Sequence, residues 1–391
     1  MKKRTKLSFL AVAMLLFLTF MPAMTASAAS VSSGPSVSTD SIIKEQQQKS
    51  GAANLNGQVP DSAKASLDKL GINSADQSSL ARFTPANIFN TVLDNLRQAC
   101  SEPLKALAAV LGILLACALL GTLKNSIGEK SLENVFNIVS ALCIAAVILV
   151  PVARSVSDSA ATIKASANFM NAFLPVYSSL AVASGHPASA IAAQSLLLVA
   201  SDALTSITSS TFIPMIDLYL AFCVVGAVSP GINISGIAGF IKTAVSWALG
   251  FCLTIYTGIL AIQGVIASAA DNVTLKAAKF VVDSAIPVIG GAISDAMNTV
   301  IGCAGLLKTL VGAYAIVVFI LAYMPTILEC VLWLLVADLS LAVCDVLGVS
   351  GMAGLLKAVK EALKLILALV FTCALSMIIS VSVMLLLGMG N

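Results

Sequence analysis

VIGCAGLLKTLVGAYAIVVFILAYMPTILECVLWLLVADLSLAVCDVL, residues 300–347, carries only four charged side chains, Lys308, Glu329, Asp338 and Asp345. The rest of the run is almost wholly apolar. A helix needs about 20 such residues to cross the hydrocarbon core of a bilayer. The run therefore has the length of two crossings, and Pro325 offers a place to divide them into spans 300–323 and 326–347. Similar stretches occupy 104–123, 135–153, 188–208, 211–229, 240–268 and 362–388. The expected fold is all-α, a polytopic membrane helical bundle of about eight spans. Two further apolar stretches, 169–184 and 281–297, contain Pro175 and Pro287 and read as interfacial or re-entrant half-helices.

Composition points the same way. Of 391 residues 58% are hydrophobic and 10% charged, with a mean hydropathy of +0.98. Soluble domains carry about 25% charged residues, so lipid has to serve as solvent for most of this chain. A net charge of +3, scattered along the sequence, does not suit a nucleic-acid partner. The nine cysteines stand singly, with no CxxC, and suggest neither a zinc site nor a redox pair.

The amino terminus has the three parts of a secretory signal peptide over 1–28. Lys2, Lys3, Arg4 and Lys6 precede the apolar run Ser8–Met21, and Ala26-Ser27-Ala28 supplies small residues before a cut between Ala28 and Ala29. Cleavage there leaves the mature amino terminus outside the cytoplasm. Residues 29–103 then form a polar extracytoplasmic segment. Its 30–60 stretch, rich in Ser, Gly, Gln and Asn, is expected to be disordered. Its 85–101 stretch reads as an amphipathic helix with Ile88, Phe89, Val92, Leu93 and Leu96 on one face. The membrane domain is 104–391.

Eight spans starting outside place Lys124, Lys130, Lys276, Lys279, Lys357, Lys360 and Lys364 in cytoplasmic connections, and Arg154, Lys164 and Lys242 outside. Seven against three follows the positive-inside rule.

The chain also resembles itself. ATIKASANFMNAFLPV at 161–176 matches VTLKAAKFVVDSAIPV at 273–288, and SGIAGFIK at 235–242 matches SGMAGLLK at 350–357. The first offset, 112, also takes Asp217 to Glu329. The pattern predicts units at about 134–232 and 236–347, with a final span over 352–389. Each unit holds three spans and a proline-broken half-helix, so consecutive units insert upside down relative to each other. That is the logic of inverted-repeat transporters.

Ionisable residues at membrane depth are functional candidates by default. Asp217 follows Pro214, and Glu329 follows Pro325, each by about one turn; Asp202 and Asp338 sit within other spans. The four acids are candidates either to line a cation or proton pathway or to cap helices. Capping is the favoured role for Asp217 and Glu329, because carboxylates suit helix amino termini, and Asp202 and Asp338 are expected to bond Ser or Thr of neighbouring helices. Pro175, Pro214, Pro287 and Pro325 are the expected helix breakers. Nothing points to an enzyme, a metal or a cofactor: His186 is the sole histidine, and no GxxxxGK[ST] loop, GxGxxG turn or serine elbow occurs. Glycine pairs such as Gly236/Gly239 and Gly351/Gly354 suit close helix packing or a homo-oligomer.

Ala285-Ile-Pro-Val-Ile-Gly290, Ser294-Asp295-Ala296, Leu306-Leu-Lys308 and Val311-Gly312 resemble the stage III sporulation protein AE family of endospore-forming bacteria. The order of signal peptide, polar segment and multi-span domain is similar too. The resemblance implies a component of the mother-cell membrane around the forespore, within a secretion or feeding channel needed for late forespore development. It implies other membrane proteins of that complex as partners, including a separate ATPase, which fits the missing phosphate loop. The alternative from the repeat and its acids is a secondary transporter or permease for a small solute.

Overall fold

The computed structural model describes residues 39–127, 130–228, 236–260 and 290–387, and the regular elements among them are all helical. The signal peptide with Ala28 and Ala29, Pro287, and the 273–288 copy of the repeat lie outside the described residues. In chain order the elements begin with α1 Thr39–Lys49, a 3-10 helix Ala52–Gln58, α2 Asp61–Leu70, the single turn α3 Gln77–Leu80 and α4 Pro85–Ala99. The large helices follow: α5 Ser101–Ile127, α6 Lys130–Ala183, α7 Pro187–Ile207, a π-helical turn Thr208–Phe212, α8 Ile213–Val228, α9 Gly236–Leu260, α10 Gly290–Val346 and α11 Ser350–Leu387.

Six stretches among the described residues are long and apolar enough to cross a membrane: Ser101–Leu119, Ala141–Ala183, Pro187–Gly226, Gly236–Leu260, Asn298–Val346 and Met352–Leu385. The division at prolines is corrected. Pro325 lies inside α10, Pro151 and Pro175 lie inside α6, and 188–208 joins 211–229 through the π turn. The reason is the solvent. In water a mid-run proline frees a carbonyl that water can take up, and the chain turns there. In lipid a loop would strand many peptide groups, each at a cost of several kcal/mol, so one lost bond inside a continuous helix is the smaller penalty. Near Pro214 the wide π turn absorbs the misfit. The resulting rods are long: 54 residues in α6 and 57 in α10, about 80 and 85 Å at 1.5 Å per residue.

Two hairpins share one turn geometry. Gly185 ends α6 at φ 90° and Gly348 ends α10 at φ 70°, both in the left-handed region where a Cβ is unwelcome. The His186 N–H reaches the Ala181 carbonyl at 2.9 Å, and the Gly185 N–H reaches Val182 at 3.0 Å. Likewise the Val349 N–H reaches Cys344 at 3.2 Å, and Gly348 reaches Asp345 at 3.4 Å. Both are Schellman ends, which satisfy the last carbonyls of a helix and reverse the chain. α10 and α11 form the centre, with Trp333, Tyr314, Tyr323 and Phe319 fully buried. Gly312 makes this pairing close: a Cβ there would stand 2.5 Å from Leu385 Cδ2.

The polar segment is folded onto this core, in one compact unit with it, Ile42–Asn391. Disorder over 30–60 is therefore corrected for its described part. Leu55 and Val59 are buried with Ala63, Leu67 and Ile72, apolar residues too sparse for a core of their own but sufficient against α10. Gln46 Nε2 donates to the Val300 carbonyl at 3.1 Å, Tyr314 OH to Asn56 Oδ1 at 3.0 Å, and Asn95 Nδ2 approaches Met324 Sδ at 3.7 Å. α4 starts where Thr84 Oγ1 accepts the Asn87 N–H and Pro85 fills the first turn. Its buried edge includes Thr91, and Phe89 of the apolar face is 66% exposed.

Candidate functional site: a hydroxyl seam between crossing helices

Ser155, Ser159, Thr162 and Ser166 are all buried and recur at i, i+4, i+7 and i+11, one face of a helix. That face of α6 meets α10, which runs the opposite way. Ser155 Oγ donates to Glu329 Oε1 at 3.1 Å, Thr162 and Thr326 join hydroxyl to hydroxyl at 3.0 Å, and Phe169 packs edge-on against Phe319 with ring centres 5.4 Å apart. Ser159 Oγ turns back to the Ser155 carbonyl at 2.6 Å. The Tyr323 hydroxyl and Ser166 Oγ are buried next to each other, with Cys373 and Tyr256 also close to Tyr323. From there Thr208 Oγ1 lies 3.7 Å from Cys373 Sγ, and Tyr256 OH is hydrogen-bonded to Ser380 Oγ. The seam thus ties α6, α7's π extension, α9, α10 and α11 together through hydroxyls. Such bonds between membrane helices average about 0.6 kcal/mol, so the seam sets register more than it supplies stability.

A cluster of charges flanks it. Glu361 of α11 holds Lys242 of α9 and Lys364, each at 2.6 Å, and Lys360 pairs with Asp338 of α10. This corrects the eight-span orientation. Lys242 and Lys364 share one carboxylate and cannot stand on opposite sides of a membrane. Elsewhere Arg154 of α6 lies 3.8 Å from Glu102 of α5.

The four candidate acids divide. Glu329 is half-buried in the seam, in mid-helix and not at a helix start, so its capping role is corrected. Asp217 is exposed on α8, and among the described residues it shares no hydrogen-bond or ion-pair partner with Glu329. Asp202 bonds Asn171 Nδ2 at 2.9 Å and Asp338 bonds Lys360; neither uses the expected Ser or Thr, and both are exposed. The residues missed from sequence are the hydroxyls themselves. Their signal was the four-residue helical spacing from Ser155 to Ser166.

Long apolar helices packed around a polar seam define a polytopic α-helical membrane protein. The chain belongs to the stage III sporulation protein AE family, whose model matches residues 74–388 and so takes in α3 to α11. Among characterised relatives, it is similar to stage III sporulation protein AE of Bacillus subtilis (strain 168), 25% identical over 272 residues, 69% of this chain and 67% of that protein. No solved structure matches it.

Proposed function

We propose that the chain is an integral membrane component of a sporulation-specific secretion or feeding channel between mother cell and forespore, required for late forespore development. The observation that carries this is the family match over 74–388, which takes in the end of the polar segment and the whole bundle. In this reading the protein sits in the mother-cell membrane around the forespore, its mature amino terminus faces the space between the cells, and a separate ATPase supplies energy. It acts through assembly, as scaffold or gate, and not as an enzyme. Deleting the gene is expected to halt sporulation after engulfment, and affinity capture from sporulating cells is expected to bring down other membrane proteins. Normal spore yield would sink the reading.

A permease for a small solute is the second reading, and one observation favours it: Glu329 is held in the seam by Ser155. Asp217 no longer belongs to that argument. Glu329→Gln in proteoliposomes should abolish solute or proton flux; unchanged flux rejects this reading.

A further inference from the structure

Glu361 holds two lysines at once, and this leaves positive charge over. Its Oε2 meets Lys242 of α9 and its Oε1 meets Lys364 of α11, each at 2.6 Å. One carboxylate cannot neutralise two ammonium groups. Each ammonium has three donors, and 41% of the Lys242 side chain and 36% of the Lys364 side chain stay exposed. Lys360 pairs with Asp338 of α10. Lys357 and Asp345 are exposed close by, both near Cys344, and Lys357 shares a helix face with Lys364 at the i, i+7 spacing. Four lysines thus stand against three carboxylates, and the excess falls on Lys242 and Lys364.

The rim of this charged group is apolar. Phe240, two residues before Lys242, is exposed, and so are Leu335 and Leu339 on the turn of α10 that holds Asp338. The level of the group follows from named contacts. α5 begins its spanning stretch at Ser101, and its Glu102 lies 3.8 Å from Arg154. Next to Arg154, Ser155 bonds Glu329, and Asp338 is nine residues further along α10, about 13 Å away. Lysine side chains cover part of such a distance by lying along apolar surface with the charge at the tip. The group therefore stands at the membrane surface where α5 enters.

We propose that Lys242 and Lys364 bind the phosphate of an anionic phospholipid whose chains cover the apolar rim. A phosphate monoanion answers the excess charge, and its oxygens accept the ammonium donors that Glu361 leaves over. A soluble anion would meet the charge but leave Phe240, Leu335 and Leu339 in water. A lipid meets both, because it carries phosphate and hydrocarbon in one molecule. Bound there, it clamps α9 to α11 beside the Lys242–Glu361 pair. The inference does not rest on the channel reading.

The test uses the full chain in nanodiscs of phosphatidylcholine, alone or mixed with phosphatidylglycerol. Unfolding should come at a higher temperature in the mixture. Mass spectrometry of gently released protein should find phosphatidylglycerol retained in preference to phosphatidylcholine. Lys242→Gln and Lys364→Gln should each weaken that preference about fivefold, whereas Lys69→Gln, on α2, should leave it unchanged. Lys242→Arg with Lys364→Arg keeps the charges and should keep the preference, which separates a lost site from a lost fold. Glycerol 3-phosphate, a phosphate without chains, should not displace the lipid. Equal retention of the two lipids by the parent overturns the site. So does a preference undiminished in the two glutamine variants, or one lost in the arginine variant too. Displacement by glycerol 3-phosphate overturns the lipid as occupant, in favour of a soluble anion.

Discussion

Thr162 and Thr326 meet hydroxyl to hydroxyl, 3.0 Å apart, where the two longest described helices cross. From that point α6 runs 23 residues to the left-handed Gly185 and α10 runs 22 to the left-handed Gly348. The bundle is thus organised as two similar hairpins laid head to tail about one polar contact. This relation has an offset near 164, not the 112 read from the sequence.

The contact predicts a double-mutant cycle. Thr162→Val or Thr326→Val alone leaves a buried hydroxyl unmet and should cost about 1 kcal/mol. The double variant removes both hydroxyls and should lose no more than the worse single one. Thermal unfolding in detergent measures all three; simple additivity would mean that the pair is not coupled.

Gly312 should resist any side chain. A Cβ would meet Leu385 Cδ2 at 2.5 Å and Cγ at 2.9 Å, so Gly312→Ala is expected to cost about 1–3 kcal/mol by overpacking. Adding Leu385→Ala should recover part of that loss in the same unfolding assay. A Gly312→Ala variant as stable as the parent would contradict the close approach.

Tyr314→Phe tests the docking of the polar segment. It removes the donor to Asn56 Oδ1 at 3.0 Å and keeps the ring in its packing. Limited proteolysis of the full chain should then cut faster between α1 and α4, with the helices of the bundle protected as before. An unchanged cleavage rate would show that the apolar contacts of Leu55 and Leu67 hold the segment without this bond.

Asp76 caps α3, accepting the Ser79 N–H at 2.8 Å. Burial pushes its carboxyl up, but the hydrogen bond from Ser79 and the hydroxyls of Ser74 and Ser78 outweigh that and hold it below the usual carboxylate range. A carboxyl lowered in the folded state stabilises above its unfolded value, about 3.9, and the benefit fades as pH falls through the folded value. Hydrogen-exchange protection of residues 77–81 should therefore hold at neutral pH and fall away as pH drops below about 4. In Asp76→Asn, which keeps the cap, protection should not follow pH.

The fold class was legible because apolar runs of spanning length are a property of the sequence alone. Where those runs bend was not, because the meaning of Pro325 depends on whether water or lipid surrounds the freed carbonyl. Asp217 and Glu329 show a second limit. Both follow a proline at the start of an apolar run, yet one is exposed and the other faces Ser155. The neighbour that separates them is 174 residues away. Lys242 and Lys364 make the same point, since only their common partner Glu361 reveals that they are on one side. The family motif around Val311-Gly312 gains a physical reason in the contact with Leu385.

The docking of the amino-terminal segment onto α10 also sets an order of events during biosynthesis. Asn56 and Tyr314 are separated by 258 residues. At 5–20 residues per second the ribosome needs roughly 13–52 s to produce the partner after the segment emerges. Through that interval α2, which packs on α10, lacks the surface that buries Leu67, and a late act of assembly is the return of the beginning of the chain to a helix made near its end.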